Sequence, residues 1–473
     1  MLAYECVPVG TTNSTGTIDM PTSLPSVAGV TPSAVADPLS LIAGSDLPDF
    51  LAGTDGDDTL LGQAGADTLD GGAGNDLLDG GDDADQLFGG DGNDTLVGGL
   101  GDDFIADNSG SAVIDAGEGN DNVSIAVFAQ TGITASVDGG AGADTIGAFY
   151  VGNATLAGGD GDDSLSEFGV RDSTVAGGNG NDTLTISIDG LYSLFSDNNI
   201  ALGESALLDG GAGDDLINVS VNSSVGYGQT QVTVLGGDGN DALLVSDANA
   251  GNPFANGSGA GIARTTLDGG AGQDLLLATG VLQLTLTGGS DRDIFVLTER
   301  QVRTQFEGSR SIANGDGTFS TVDSGPVLIT DFQAGGGGDI LDLFGVLSMV
   351  QFAGDGANPF GPDGPLQLTQ VGADVYVGLN GNPIAVLAGV TLGDLIANNF
   401  GPEYPPDGSA PLGQLITGTD GADFPAGSVG ADTVDVLGGD DFVDGRDGND
   451  LIFGGDGNDS LFGSAGHDTL DGG

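Results

Sequence analysis

The 473 residues include no lysine and no tryptophan, one cysteine, one histidine and seven arginines. A single cysteine, Cys6, cannot form an intramolecular disulfide, so no cystine framework holds this chain. A single histidine, His467, cannot supply the ligands of an HExxHxxGxxH zinc helix. It also argues against a Ser/His/Asp hydrolase, for which the GxSxG elbow is missing as well. Seven arginines against 70 acidic side chains leave a net charge of −63. That balance excludes a nucleic-acid binder, because phosphates demand clustered Lys or Arg, and it disfavours anionic membrane surfaces. No apolar run approaches the roughly 18 residues of a membrane span. The N-terminus, MLAYECVPVGTTNSTG, has neither the basic n-region nor the apolar h-region of a Sec signal peptide. Aromatics are only 5% of the chain, which suits two thin, closely spaced sheets better than a deep globular core.

Glycine, with 91 residues, and aspartate fill the space these absences leave. Aspartate recurs every nine residues at Asp58, Asp67, Asp76, Asp85, Asp94 and Asp103, in the run GTDGDDTLL, GQAGADTLD, GGAGNDLLD, GGDDADQLF, GGDGNDTLV, GGLGDDFIA. The same phase returns at Asp423, Asp432, Asp441, Asp450, Asp459 and Asp468. Glycine at the first, second and fourth positions lets the backbone take positive φ and turn its carbonyl oxygens inward. A turn of this kind is a partial ring of oxygens closed by one carboxylate. A hard cation such as Ca²⁺ takes six to eight oxygens at about 2.3–2.6 Å, so one turn supplies half a cage and a stacked neighbour must supply the rest. The last three residues of each nonapeptide form a short strand with its middle side chain pointing inward. Leu60, Leu69, Leu78, Leu87, Leu96 and Ile105 should therefore stack as a narrow core. Two nonapeptides make one coil of 18 residues, and each ion is expected between turns i and i+2, about four shared sites in six repeats.

Between 107 and 297 the motif spreads out. It closes at Asp121, Asp144, Asp163, Asp182, Asp215, Asp241, Asp274 and, in the variant GGSDRD, at Asp293. Early intervals of about one coil imply that one edge keeps its glycine turn while the other has lost it, as at Val151, Gly152 and Asn153. Later, longer intervals imply the same coil carrying insertions. Strand-like runs such as TLTISI and LQLTLT fill the spaces. Calcium on one edge of a wider solenoid is the expectation for this region.

The GGxGxDxUx nonapeptide resembles that of RTX, or hemolysin-type, calcium-binding proteins. The resemblance implies an all-β, right-handed parallel β-roll or β-helix with calcium in the Gly/Asp turns, the twenty aspartates named above as metal ligands, and conditional folding in which calcium relieves the self-repulsion of the acidic chain. It also implies secretion through a type I exporter that reads an uncleaved C-terminal signal. The chain stops at Asp471, Gly472 and Gly473, the opening of another repeat, so a truncated sequence or a signal placed elsewhere is expected. The segment GGSDRDIFVL with residues 326 to 400 is similar to the C-terminal module that closes the β-roll in serralysin-type proteins, through Asp293, Phe295, Asp331, Phe332, Asp339 and Asp342.

The domain organisation expected from these patterns is a flexible arm at 1–50, a first repeat block at 51–106, an extended solenoid at 107–297, and a charged insertion with the closing module at 298–400. A Pro-rich linker at 401–415 and a second, apparently truncated, block at 416–473 follow. The insertion groups Arg300, Arg303 and Arg310 with Glu299 and Glu307, read as local ion pairs, and Pro425 should weaken the first strand of the second block. Epimerases and lyases of anionic polysaccharides also use parallel β-helices, but they need cationic side chains at the sugar carboxylate, and this chain has no Lys and gathers its Arg mainly in one insertion, which argues against that chemistry. Paired carboxylates for glycoside hydrolysis are not excluded by counting, although most acids are already assigned to turns. The expectation is a non-enzymatic, calcium-binding structural or surface protein, such as a surface-layer, matrix or adhesin component, secreted or at the bacterial cell surface. Self-association or a cell-surface polysaccharide would be its partner. The alternative is the non-catalytic RTX portion of a larger type I-secreted enzyme or toxin.

Overall fold

The computed structural model describes residues 40–126, 133–169, 172–189, 205–222, 230–247, 262–306, 310–313, 319–322, 324–350, 352 and 357–473. All of them belong to the unit Pro38–Gly473. Successive strands alternate between two stacks, a 16-stranded sheet and a 14-stranded sheet. In the first, Ser40–Ala43 pairs in parallel with Asp58–Ala64, which pairs with Leu77–Asp82. In the second, Phe50–Ala52 pairs with Thr68–Ala73, which pairs with Gln86–Asp91. Leu60 therefore lies beside Leu78 and Leu69 beside Leu87, a repeat of 18 residues per coil. Strand alternation sends every second side chain inward, and Leu60, Leu69, Leu78, Leu87, Leu96 and Ile105 are all 0% exposed. Each such side chain contributes about 1.5–3 kcal/mol by leaving water, and the two sheets are close enough for aliphatic chains to meet without Trp.

Beyond Asp107 the coil widens without losing register. Thr134–Ala141 pairs with Asn153–Asp160, Asp172–Asn179 with Ser205–Ala212, and Thr230–Asp238 with Ile262–Ala271, all parallel. The sequence intervals between stacked aspartates are 23, 19, 33 and 26 residues in different coils. The surplus falls at 127–132, 190–204, 223–229 and 248–261, outside the described residues, and always where the chain returns from the second sheet to the first. The opposite edge is untouched.

Two expected boundaries are corrected. Residues 40–50 were assigned to the flexible arm, but Ser40–Ala43, the turn from Gly44 to Asp49 and Phe50 already form the first coil. The turn reads GSDLPD, and serine and leucine in the second and fourth positions, where the motif has glycine, concealed it. Residues 1–39 of that arm lie outside the described residues. The segment 401–415 was assigned as a linker, yet Tyr404 is 2% exposed, meets Phe352 edge-on and donates its hydroxyl to Asp447 Oδ2 at 2.7 Å. It is packed chain, pinned to the second block.

The far end of the solenoid is closed by non-repeat structure. Helix Glu299–Phe306 buries Val302, and its Gln301 amide brackets Val281, accepting from the N–H at 2.9 Å and donating to the carbonyl at 2.8 Å. Arg303 pairs with Glu299 at 2.7 Å, the local ion pair expected in the charged insertion; Glu307 lies outside the described residues. Val327–Ile329 and Ile340–Asp342 add a last coil. Asn382–Leu387 joins it in parallel and the antiparallel strands Asp374–Leu379 and Leu366–Val371 finish the first sheet. A meander thus replaces the open edge that a solenoid otherwise presents. In the second block, Leu415–Thr417, Thr433–Asp435, Leu451–Phe453 and Thr469–Asp471 form one parallel sheet, and Phe442–Asp444 with Ser460–Phe462 the other. No strand forms at Pro425, whose ring removes a ladder donor.

Candidate metal centre

Stacking brings the turn aspartates into columns. On the first edge, each aspartate's backbone N–H donates to Oδ1 of the aspartate one coil later. The column runs Asp49, Asp67, Asp85, Asp103, Asp121, Asp144, Asp163, Asp182, Asp215, Asp241, Asp274, Asp293, Asp339 without a gap, with distances between 2.7 and 3.1 Å. On the second edge the same bond links Asp58 to Asp76 and Asp76 to Asp94, both at 2.8 Å. The second block carries two short columns, Asp432 to Asp450 to Asp468 and Asp423 to Asp441 to Asp459. The spaced middle motifs are therefore not isolated, because the in-register stacking of the strands gives every one of them a neighbouring turn.

Oδ1 is thus committed to the ladder, and Oδ2 is where the chemistry lies. Oδ2 of Asp67, Asp76, Asp85, Asp94, Asp103, Asp121, Asp144, Asp163, Asp182, Asp215, Asp241, Asp274, Asp293, Asp441, Asp450 and Asp459 is buried and has no hydrogen-bond partner. A buried carboxylate oxygen without a donor costs free energy unless a cation or a proton meets it. Burial pushes the Asp76, Asp85 and Asp450 carboxyls up to about 6, against the N–H bond that each accepts, and like-charged neighbours in the column add to the rise. Asp103, Asp163, Asp215 and Asp293 are pushed up to about 7 for the same reasons.

The first glycine of each turn bounds the empty side of this oxygen. A methyl group at Gly62 would lie 2.3 Å from the Gly80 carbonyl oxygen and 2.5 Å from Asp67 Oδ2; at Gly210 it would lie 2.5 Å from the Gly236 oxygen and 2.3 Å from Asp215 Oδ2. Carbonyl and carboxylate oxygens converge there at the distances Ca²⁺ takes from oxygen, and only the missing Cβ keeps the space open. Among the described residues no three His, Cys, Asp or Glu side chains surround one point. That is the consequence of a donor set drawn mostly from backbone carbonyls, with one carboxylate per rung. The residues fit a hard divalent cation, held by Oδ2 of one turn and the carbonyl oxygens of that turn and the next.

Three of the expected ligands are placed differently. Asp58 Oδ2 accepts from the Thr54 N–H and hydroxyl, the latter at 2.9 Å. Asp423 Oδ2 accepts from Thr419 in the same way, and Asp432 Oδ2 accepts from the Ser428 N–H at 2.6 Å. Asp49, with Ser45, repeats the pattern. In these first turns of each column Ser or Thr replaces the second glycine and stays out of the left-handed region that Gly72 (φ 95°) and Gly81 (φ 108°) adopt. Its N–H then faces the carboxylate where a cation would otherwise sit. At Asp58 burial is the largest influence and acts upward, but hydrogen bonds from Thr54 and Ser40 together outweigh it and hold the carboxyl below its ordinary value. At the far end Asp339 Oδ2 accepts from the Gln333 N–H at 2.7 Å. The long column is latched by protein donors at both ends. Around Asp121 and Asp441 the first glycine is replaced by buried Ala116 and Val436, which narrow those two spaces. Asp468 is partly exposed in the last coil. His467 is exposed and joins the column only through its N–H, donated to Asn449 Oδ1.

The family model described as the RTX calcium-binding nonapeptide repeat (4 copies) matches residues 44–78, 52–87, 72–105, 88–123, 151–166, 169–185, 417–452 and 444–473. These segments are RTX calcium-binding repeats. No curated protein matches the chain. The first-edge RTX turns within 44–123 and 151–185 lie in the same column as those ending at Asp215, Asp241, Asp274 and Asp293, beyond the matched segments. Geometry thus continues the repeat where the sequence pattern has thinned. Sequence reasoning missed Asp49 and Asp339 as the ends of the column, and missed the Ser/Thr latches; a hydroxyl residue in the second position of the first turn was the available signal. Asp331, read in the sequence only as a residue of the closing module, has a carboxylate that accepts from Gly288 N–H at 3.0 Å and Gly289 N–H at 2.8 Å and so covers the turn that ends at Asp293.

Proposed function

We propose that this chain is a non-catalytic structural or surface component, exported by the type I route and folded by calcium outside the cell. The observation that carries the reading is the unbroken first-edge column. It places a buried, half-satisfied carboxylate on every coil from Asp67 to Asp293, in a chain of net charge −63. Such a chain repels itself strongly until cations are bound, and external calcium at about 10⁻³ M exceeds the weak affinities of extracellular sites only outside the cell. A protein that stays extended during export and stiffens outside suits a rod-like scaffold. A surface-layer, matrix or adhesin role follows, with a second copy or a cell-surface polysaccharide as partner.

Circular dichroism and hydrodynamic radius in EGTA and then in calcium test the folding step; an equally compact, β-rich chain in EGTA would sink it. Washing intact cells with EGTA tests the location. A calcium-built surface component leaves with the wash, whereas a chain retained inside the cells contradicts the role.

A further inference from the structure

We infer that Asp107 is a calcium ligand recruited from outside the repeat motif, closing the last cage on the second edge. The turn that should follow Asp94 on that edge reads DNSGSA, residues 107–112. Its sixth position, where the carboxylate belongs, is buried Ala112, and its first position, where glycine belongs, is Asp107. The column accordingly stops: the Asp94 N–H donates to the Ser111 carbonyl at 3.1 Å and not to an aspartate. The carboxylate has moved within the turn, not vanished. Asp107 is 1% exposed, accepts from the Ser109 N–H through Oδ1 at 3.3 Å, and leaves Oδ2 buried without a partner.

Its direction is given by Gly89, the first glycine of the preceding turn on this edge. A methyl group at Gly89 would meet Asp94 Oδ2 at 2.8 Å and the Asp107 carboxyl carbon at 3.3 Å; at Gly71, one coil earlier, the group supplied by the next coil is the Gly89 carbonyl oxygen at 2.5 Å. Asp107 thus reaches back and puts a carboxylate where other cages receive a carbonyl. Two buried carboxylates with one unpaired oxygen each face a single space, an arrangement that needs a cation or a shared proton. Hard oxygen donors with two formal charges select Ca²⁺ and should bind it more tightly than a cage with one carboxylate.

The inference rests on the RTX turns binding calcium, so the test carries its own control. Bound calcium is counted by equilibrium dialysis on the full chain at saturating calcium, with compactness followed by circular dichroism, for wild type, Asp76→Asn and Asp107→Asn. Asparagine is nearly isosteric with a protonated aspartate. If Asp107 is a neutral core acid, Asp107→Asn keeps the wild-type count while Asp76→Asn loses an ion, and the inference is overturned. The expected result is one ion lost in each. Should Asp76→Asn also keep the full count, the calcium reading of the turns fails and takes this one with it. Because Asp107→Asn could perturb the coil, Asp107→Gly with Ala112→Asp rebuilds the ordinary repeat turn, with glycine in its first position and the carboxylate in its sixth, and should recover the ion. A crystal of the wild-type chain grown in calcium should show anomalous density between Asp94 and Asp107, and its absence there, with density at Asp76, would overturn the assignment without any variant.

Discussion

The backbone N–H of Asp182 donates to Asp215 Oδ1 at 2.7 Å across 33 residues of sequence, the bond that Asp67 makes to Asp85 at 2.7 Å across 18. The column is indifferent to what intervenes, because the extra residues fall between the end of a second-sheet strand and the start of a first-sheet strand, never within the turn that carries the aspartate. Deleting fourteen residues from 190–204 would shorten this interval to the 19 found between Asp163 and Asp182. The cages should be unchanged and the calcium midpoint should hold, with a gain of only about 0.5 kcal/mol from the shorter loop closure. Calcium titration by circular dichroism checks this. A midpoint raised severalfold would mean that the insertion itself contributes to the cage.

Much of this was legible in the sequence, and the parts that were not have physical causes. The nine-residue period names both the inward leucines and the carboxylates, since a strand alternates and a turn of fixed length holds phase. Leu60 and Asp76 could not be placed otherwise. What the period could not convey was closure. Thr54 looks like a tolerated variant of glycine in the motif, and only the pair of bonds to Asp58 Oδ2 reveals that it substitutes for the ion. Asp107 stands in a turn whose sixth position is alanine, so a search by motif discards the whole turn. Tyr404 sits among prolines and reads as linker because its partner, Asp447, is 43 residues away.

Asp76 and Asp450 keep Oδ2 unpaired, whereas Asp58 and Asp432 have theirs satisfied by Thr54 and Ser428. Asp76→Ala and Asp450→Ala should therefore each remove a bound ion and raise the calcium midpoint of their own block. Asp58→Ala should leave the count unchanged and instead cost on the order of 1–3 kcal/mol at any calcium level, by stripping donors of their acceptor. Dialysis and chemical denaturation separate the two outcomes. A lost ion in Asp58→Ala would show that the latch opens when calcium is present.

The latch itself can be converted. Thr54→Gly removes the hydroxyl and admits the positive φ that Gly72 uses in the next turn of the same edge. Asp58 Oδ2 would then face a space bounded by Gly53 and the Gly71 carbonyl, as in an ordinary RTX turn. One additional bound calcium is expected, and hydrogen-exchange protection of residues 40–61 should become more dependent on calcium than in the wild type. An unchanged count with a uniformly weaker first coil would mean that the first turn cannot form a cage.

The raised carboxyls fix how the fold answers to pH. Burial, aided by neighbouring charge, lifts Asp76, Asp85 and Asp450 to about 6 and Asp103, Asp163, Asp215 and Asp293 to about 7. In the unfolded chain aspartate titrates near about 3.9. Between these limits the folded coil holds more protons than the unfolded chain, so without calcium its stability falls as pH rises from about 4 and has lost this contribution above about 7. Protons and calcium compete for the same oxygens. In EGTA the chain should be measurably more compact and β-rich at pH 5 than at pH 7.5, whereas its apparent calcium affinity should be lower at pH 5. Paired titrations at the two pH values decide the matter, and a calcium-free chain that loses β-structure on acidification would show that these carboxyls are not buried in the calcium-free state.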